Sequence, residues 1–191
     1  MKGRESGMPE CRQWESFFDP EQVVEALRCT ALPGDIVEFG CGFGTFTLPV
    51  ARRTSGVVHA LDIEPEMISH VAAASLTNIV PLERDFIANG TGLPDASAVH
   101  AMVFNILHVE NPVGILREAC RVLIPGGTVS IIHWRSDLET PRGPSLEIRP
   151  SPEQCLAWAK QGGFVDGRRV DLGQSAPWHY GLVLQKSHAI H

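Results

Sequence analysis

The sequence predicts an α/β fold: a doubly wound, Rossmann-like and mainly parallel sheet with helices on both faces. Three observations point there. Short apolar runs alternate with longer helical patterns between Asp35 and His133, and parallel strands need crossover connections of that kind. The first run, Asp35-Ile36-Val37-Glu38-Phe39, breaks into Gly40-Cys41-Gly42-Phe43-Gly44, and a helical pattern follows through Val50 and Ala51. The second run, from Val57 to Leu61, ends in Asp62, 22 residues beyond Gly40. Glycines at such spacing let the backbone turn sharply and let a ligand reach the main chain without meeting a Cβ. A carboxylate at the tip of the second strand is where a doubly wound sheet holds a ribose by its hydroxyls. The chain is therefore expected to bind a nucleoside-containing cofactor.

The elements follow in order. Residues 1–13 are polar and glycine-containing, and a mobile tail is expected there. Asp19-Pro20 opens a helix, with Asp as N-cap and Pro at the first helical position, that runs to about Cys29. Pro33-Gly34 then turns into the first strand. Further strands are expected at 79–84, 98–104 and 128–133, with a helix over 112–123. Pro125-Gly126-Gly127 separates that helix from the last of these strands. Residues 134–150 carry three prolines, three arginines and little periodicity, which reads as a long ordered loop on the substrate side. Ser151-Pro152-Glu153 restarts a helix to about Gln161, and Gly162-Gly163 stops it. Two final strands fall near 164–171 and 180–185, and there is no internal repeat.

Length and composition narrow the class. A chain of 191 residues is ample for one core and short for two, so one domain over 1–191 is expected. No run of about 18 apolar residues occurs, and the N-terminus lacks an apolar signal core. A membrane span is excluded on that pattern, and a cytoplasmic protein is expected. The net charge of −6, without a dense Lys/Arg cluster, argues against a nucleic-acid partner. Five cysteines, Cys11, Cys29, Cys41, Cys120 and Cys155, are odd in number and lack C-x-x-C spacing. Neither a disulfide framework nor a metal site is expected from them.

Small departures decide which cofactor is bound. A dinucleotide fingerprint wants Gly or Ala where this chain has Thr45. The pattern is instead Glu38-x-Gly40-x-Gly42-x-Gly44, which resembles the first motif of class I S-adenosylmethionine-dependent methyltransferases. The likeness is to the small bacterial, type 11/25-like form. Leu61-Asp62-Ile63-Glu64-Pro65-Glu66-Met67 resembles that family's second-strand end and helix start. Arg84-Asp85-Phe86 resembles the loop after its third strand, and Arg121-Val122-Leu123-Ile124-Pro125-Gly126-Gly127 the lead into its fifth. The motifs keep the family's order from about Asp35 to His133. The resemblance implies a seven-stranded sheet whose last strand inserts antiparallel.

It also implies roles. S-adenosyl-L-methionine is the expected cofactor. Gly40, Cys41, Gly42 and Gly44 would pack on its amino-acid part, and Glu38 would bind its ammonium. Asp62 would meet the ribose, Ile63 would line the cofactor site, Asp85 would meet the adenine amino group and Phe86 the adenine face. The plainer readings are a solvent-facing Glu38, a helix cap at Asp62 or Glu64, and a Phe86 that only fills the core. Asn105 and His108, after the fourth strand, sit where the family lines the methyl-transfer cavity. His108 is the candidate base, since imidazole titrates near neutral pH; a structural histidine is the equal alternative. Trp134, Arg135, Arg142 and Arg149 follow the fifth strand and are the candidate acceptor-binding residues, suited to an anionic or planar molecule. For any one of these arginines, a solvated loop with its own ion pairs is the plainer alternative. Trp14, Phe17 and Phe18 would form a lid or pack beneath the first helix.

The implied reaction is methyl transfer to a nucleophile. No Asn-Pro-Pro-Tyr-type signature is present, because Asn105 is followed by Ile106-Leu107-His108. Elimination therefore favours a small-molecule substrate, acted on by a monomer or homodimer. An NAD(P)-dependent oxidoreductase, a thiol-based metalloid methylase and a cofactor-binding module without catalysis stay open.

Overall fold

The computed structural model describes residues 10–188. Its strands are β1 (Ile36–Phe39), β2 (Val58–Asp62), β3 (Ile79–Glu83), β4 (Ala98–Phe104), β5 (Leu123–Trp134), β6 (Phe164–Val170) and β7 (His179–Lys186). They form one seven-stranded sheet in the order β3-β2-β1-β4-β5-β7-β6. The pairings β1 with β2, β2 with β3, β1 with β4 and β4 with β5 are parallel. β7 lies antiparallel between β5 and β6. The chain winds outward from β1 to β3, then returns to the other side of β1 for β4 and β5. That reversal leaves a crevice beyond the carboxyl ends of β1 and β4, where ligands of such sheets sit.

The helices are α1 (Cys11–Glu15), α2 (Pro20–Ala26), α3 (Thr47–Arg53), α4 (Pro65–Ala73), α5 (Phe86–Asn89), α6 (Pro112–Val122) and α7 (Pro152–Gln161). Period-two alternation in the strands feeds two apolar clusters. Val37 and Phe39 join Ile115, Leu116, Ala119 and Ala159 from α6 and α7. Ile36 joins Val23, Val50 and Val71 from α2, α3 and α4. Glu38 shares the parity of Ile36, so it is a carboxyl on a face otherwise given to the core. Arg121 and Glu118, paired on α6, fix it to the preceding loop through the Leu93 carbonyl and the Thr91 N–H.

Three sequence expectations need correction. Residues 11–13 of the expected tail are helical in α1, because Trp14 packs 5.0 Å from Phe18 and 6.4 Å from Trp134, ring centre to ring centre; residues 1–9 lie outside the described residues. α2 ends at Ala26 rather than near Cys29, since Arg28 and Ala31 adopt φ of 57°. Strand β5 begins at Leu123, and Pro125-Gly126-Gly127 lies within it as an irregularity between the pairs Ala98–Leu123 and His100–Thr128. β6 is an exposed edge, disturbed between Val165 and Arg168, with Asp166 at φ 53° and charges that discourage further pairing. Among the described residues no helix is long and apolar enough to cross a membrane.

Candidate active site

The crevice beyond β1 and β4 is a cleft of about 550 Å³. Its floor is the loop after β1. Gly40, Gly42 and Gly44 take φ of 78°, 52° and 79°, a region that side chains with a Cβ seldom enter. The loop is sewn to β2: Gly40 and Cys41 donate their N–H groups to the Leu61 carbonyl, each at 2.8 Å. Asp62 tightens the same seam, accepting from Gly42 N–H at 2.9 Å and from Glu64 N–H at 3.0 Å. The carboxylate thus orders the glycine loop and the turn into α4 while lining the cleft.

Glu38 lines the cleft and is 1% exposed. Thr47, at the start of α3, donates its hydroxyl to the carboxyl. Burial raises the Glu38 pKa to about 8; the Thr47 bond opposes this and the nearby Asp62 charge adds to it. Two further groups line the cleft in a similar condition. Asn105 sits just after β4 at φ 57°, and neither of its buried amide atoms has a partner among the described residues. Thr45 Oγ1 is likewise buried without one. Buried polar atoms are nearly always satisfied, so this floor has the character of a site built for a polar ligand. Burial raises the Cys41 pKa strongly, so it is a neutral thiol and not a nucleophile.

One end of the cleft is lined by Ile63, Met67, Arg84, Asp85 and Phe86. Phe86 meets Phe39 edge-on at 5.4 Å. Asp85 caps α5 by accepting from Ala88 N–H at 2.9 Å. Arg84 braces that turn by donating to the Gly90 and Asn89 carbonyls at 2.9 and 2.8 Å. The other end is aromatic, with Trp14, Phe46, Phe104 and Trp134 beside His108 and Arg142.

The structure brings together most of the residues that the sequence singled out. Glu38, Gly40, Cys41, Gly42, Asp62, Ile63, Asp85, Phe86, Asn105, His108, Trp134 and Arg142 all line this one cleft. Gly44 stands just behind it, where a Cβ would meet Val71 at 3.1 Å. Two arginines are elsewhere. Arg135 pairs with Asp137 at 2.7 Å, in a separate groove shared with Asp171 and Tyr180. Arg149 is buried, with its guanidinium donating to the carbonyls of Pro144, Arg135 and Arg142 at 2.7, 3.0 and 3.4 Å. It braces the segment carrying Arg142 instead of facing the cleft. The aromatic trio before α2 divides: Trp14 lines the cleft, whereas Phe17 packs on Trp134 and Phe18 on Phe46. Sequence reasoning missed Thr47, a single polar residue without spacing, and gave Arg84 only as part of a motif, without its bracing role.

Fold and cleft together define an α/β protein of the doubly wound, nucleoside-binding class. The comparisons narrow this. Residues 36–127 match the methyltransferase domain family. The chain is 32% identical to a ubiquinone biosynthesis O-methyltransferase of Xanthomonas campestris pv. campestris, over 61% of this chain and 54% of that protein. It is 26% identical to cycloartenol-C-24-methyltransferase 1 of Oryza sativa subsp. japonica, over 85% of this chain and 53% of that one. The chain spans about half the length of these curated relatives. A SAM-dependent methyltransferase from Aquifex aeolicus superposes with a TM-score of 0.77 at 23% identity, covering 92% of this chain and 93% of that one. A cyclase, SpnF, superposes at 0.70 with 16% identity, covering 98% and 86%. These two likenesses establish the fold, and a fold alone does not fix a chemistry. The match to the methyltransferase domain family covers just under half of the chain, and it falls on the segment whose motifs resemble class I S-adenosylmethionine-dependent methyltransferases.

Proposed function

We propose that the protein transfers a methyl group from S-adenosylmethionine to a small, flat-bodied acceptor, with the cofactor on the glycine loop and the acceptor at the aromatic end. The observation that carries this is one cleft with two chemically distinct ends. Buried carboxyl and amide groups lie at its floor, and aromatic walls with His108 and Arg142 lie beyond them. When bound, the cofactor supplies an electrophilic methyl on a sulfonium. Glu38 would hold its ammonium, Asp62 its ribose hydroxyls, and Ile63, Asp85 and Phe86 its adenine. Asn105 supplies both a donor and an acceptor at the floor. Thr45, where a dinucleotide fingerprint needs Gly or Ala, argues against a dinucleotide.

His108 takes the proton from the acceptor's nucleophilic atom as that atom attacks. Trp14 and Trp134 keep water out and hold the acceptor in line, where alignment supplies much of the rate. Arg142, on the rim, attracts an anionic substituent. The printed names of two relatives, a ubiquinone biosynthesis O-methyltransferase and a cycloartenol-C-24-methyltransferase, agree with a small-molecule acceptor, whereas a third, 30% identical, is named a ribosomal protein L11 methyltransferase. Incubation with methyl-labelled cofactor and a small-molecule extract tests it. Label should move into products below 1 kDa, and His108→Ala should slow this on the order of 100-fold. Label found in macromolecules, or none transferred, would exclude the reading.

A further inference from the structure

His108 can act as a base only through a nitrogen that carries a lone pair, and a second histidine settles which nitrogen that is. His108 Nδ1 lies 3.2 Å from His133 Nε2. His133 is on β5, wholly buried, and its other nitrogen, Nδ1, is 3.4 Å from the Trp134 carbonyl oxygen. A carbonyl only accepts, so the proton of His133 is on Nδ1. Burial, with the adjacent His108 adding to it, lowers the His133 pKa to about 3, so the ring holds a single proton. Its Nε2 is therefore an acceptor. The bond between the rings then requires His108 to donate from Nδ1, which leaves the lone pair of His108 on Nε2.

We propose that His133 is a positioning residue for methyl transfer: it accepts the His108 Nδ1–H bond and holds His108 in the tautomer whose Nε2 removes the acceptor's proton. The proposal rests on His108 as the base of the reaction above. The bond from the acceptor atom to hydrogen breaks as Nε2–H forms; the freed electron pair would make the bond to methyl as the methyl–sulfur bond breaks, its pair staying on sulfur as a neutral thioether. His108 is then an imidazolium, and its Nδ1–H bond to His133 becomes charge-assisted and stronger. The groups around the pair keep His133 neutral and fixed. Tyr180 from β7 stacks on its ring at 6.4 Å and 28°. His179, also on β7, is buried against Trp134 at 4.1 Å and has its own pKa lowered by burial. Arg149 places its guanidinium carbon 5.8 Å from the Trp134 ring centre, a fixed positive charge that disfavours protonation of His133 and His179. A tautomer set through an acceptor-only carbonyl needs no carboxylate partner.

Nitrogen-15 spectra of the ligand-free protein, labelled in histidine, report the proton position of each ring without any acceptor. Both His108 and His133 should appear as the Nδ1–H form. In His133→Leu the bond partner is gone, and His108 should shift to the Nε2–H form. In His133→Gln an amide oxygen restores an acceptor near the former Nε2, and His108 should return to Nδ1–H. In the labelled-methyl assay His133→Leu should lose at least tenfold in kcat with the affinity for S-adenosylhomocysteine unchanged, and His133→Gln should recover most of the loss. An Nε2–H His108 in the parent, or a His108 tautomer indifferent to His133→Leu, would overturn the proposal. The parent spectrum decides even if the leucine variant does not fold. Correct tautomers in a protein that transfers no methyl would sink the methyltransferase reading and leave the geometry standing.

Discussion

Glu38 is a carboxyl placed where water barely reaches it, with the Thr47 hydroxyl as its hydrogen-bond partner. Its pKa of about 8 means that it is largely protonated at pH 7. The folded value lies above the ordinary one of 4.5. The stability this contributes is therefore complete below about pH 4.5 and is lost as pH rises through 8. In the ligand-free protein Tm should fall from pH 6 to pH 9, and Glu38→Gln should flatten that fall. Arrival of a cationic ammonium should expel the proton. Calorimetry of S-adenosylhomocysteine binding at pH 7 in phosphate and in Tris should then give different apparent enthalpies, and equal ones would contradict a neutral Glu38. The sequence showed Glu38 as an acid ahead of the glycines. It could not show Thr47 reaching back to it, because that contact depends on where α3 begins. His108 was legible by its place after β4, whereas the role of His133 depends on a cross-strand neighbour that no spacing records.

At the scale of elements, the segment between β5 and α7 shows where sequence reading stops. Its prolines and lack of period suggested an ordered loop, and a short 3-10 turn, Leu146–Ile148, lies within it. Its order comes from Arg149 side-chain bonds to three backbone carbonyls, and such bonds leave no periodic mark. Arg149→Ala should destabilise the protein by about 2–3 kcal/mol, since the carbonyls lose a buried donor. Arg149→Lys should not restore it, because an ammonium cannot span three acceptors as a planar fork does. Urea unfolding and proteolysis within residues 135–149 would check both. A wild-type midpoint in the alanine variant would contradict the brace. α7, by contrast, was fully signalled: Ser151 accepts from Gln154 N–H, the Gln154 side chain returns the bond, and Pro152 holds the first position. Ser151→Ala should cost about 1 kcal/mol with cofactor affinity unaltered. α1 was missed because five residues bear no period, and aromatic contacts to Trp134 hold it.

For the molecule as a whole, the order of motifs foretold the topology. An apolar run as continuous as β4, buried at six of its seven positions, belongs in the middle of a covered parallel sheet. The reversal of winding at β1 then fixes the cleft before any side chain is considered. A ligand held there ties β1, β2 and β4 together and stabilises only the folded state. At a concentration 100 times Kd it should add about 2.7 kcal/mol, or roughly 5–10 °C in Tm for a chain of this size. The central claim is that the glycine loop, Glu38 and Asp62 form a site for S-adenosylmethionine and not for a dinucleotide. Isothermal titration of the parent protein with S-adenosylhomocysteine and with NAD tests it most directly. One molecule of S-adenosylhomocysteine bound per chain, with no saturable heat from NAD, is the predicted result; tighter binding of NAD, or no binding of S-adenosylhomocysteine, would contradict it.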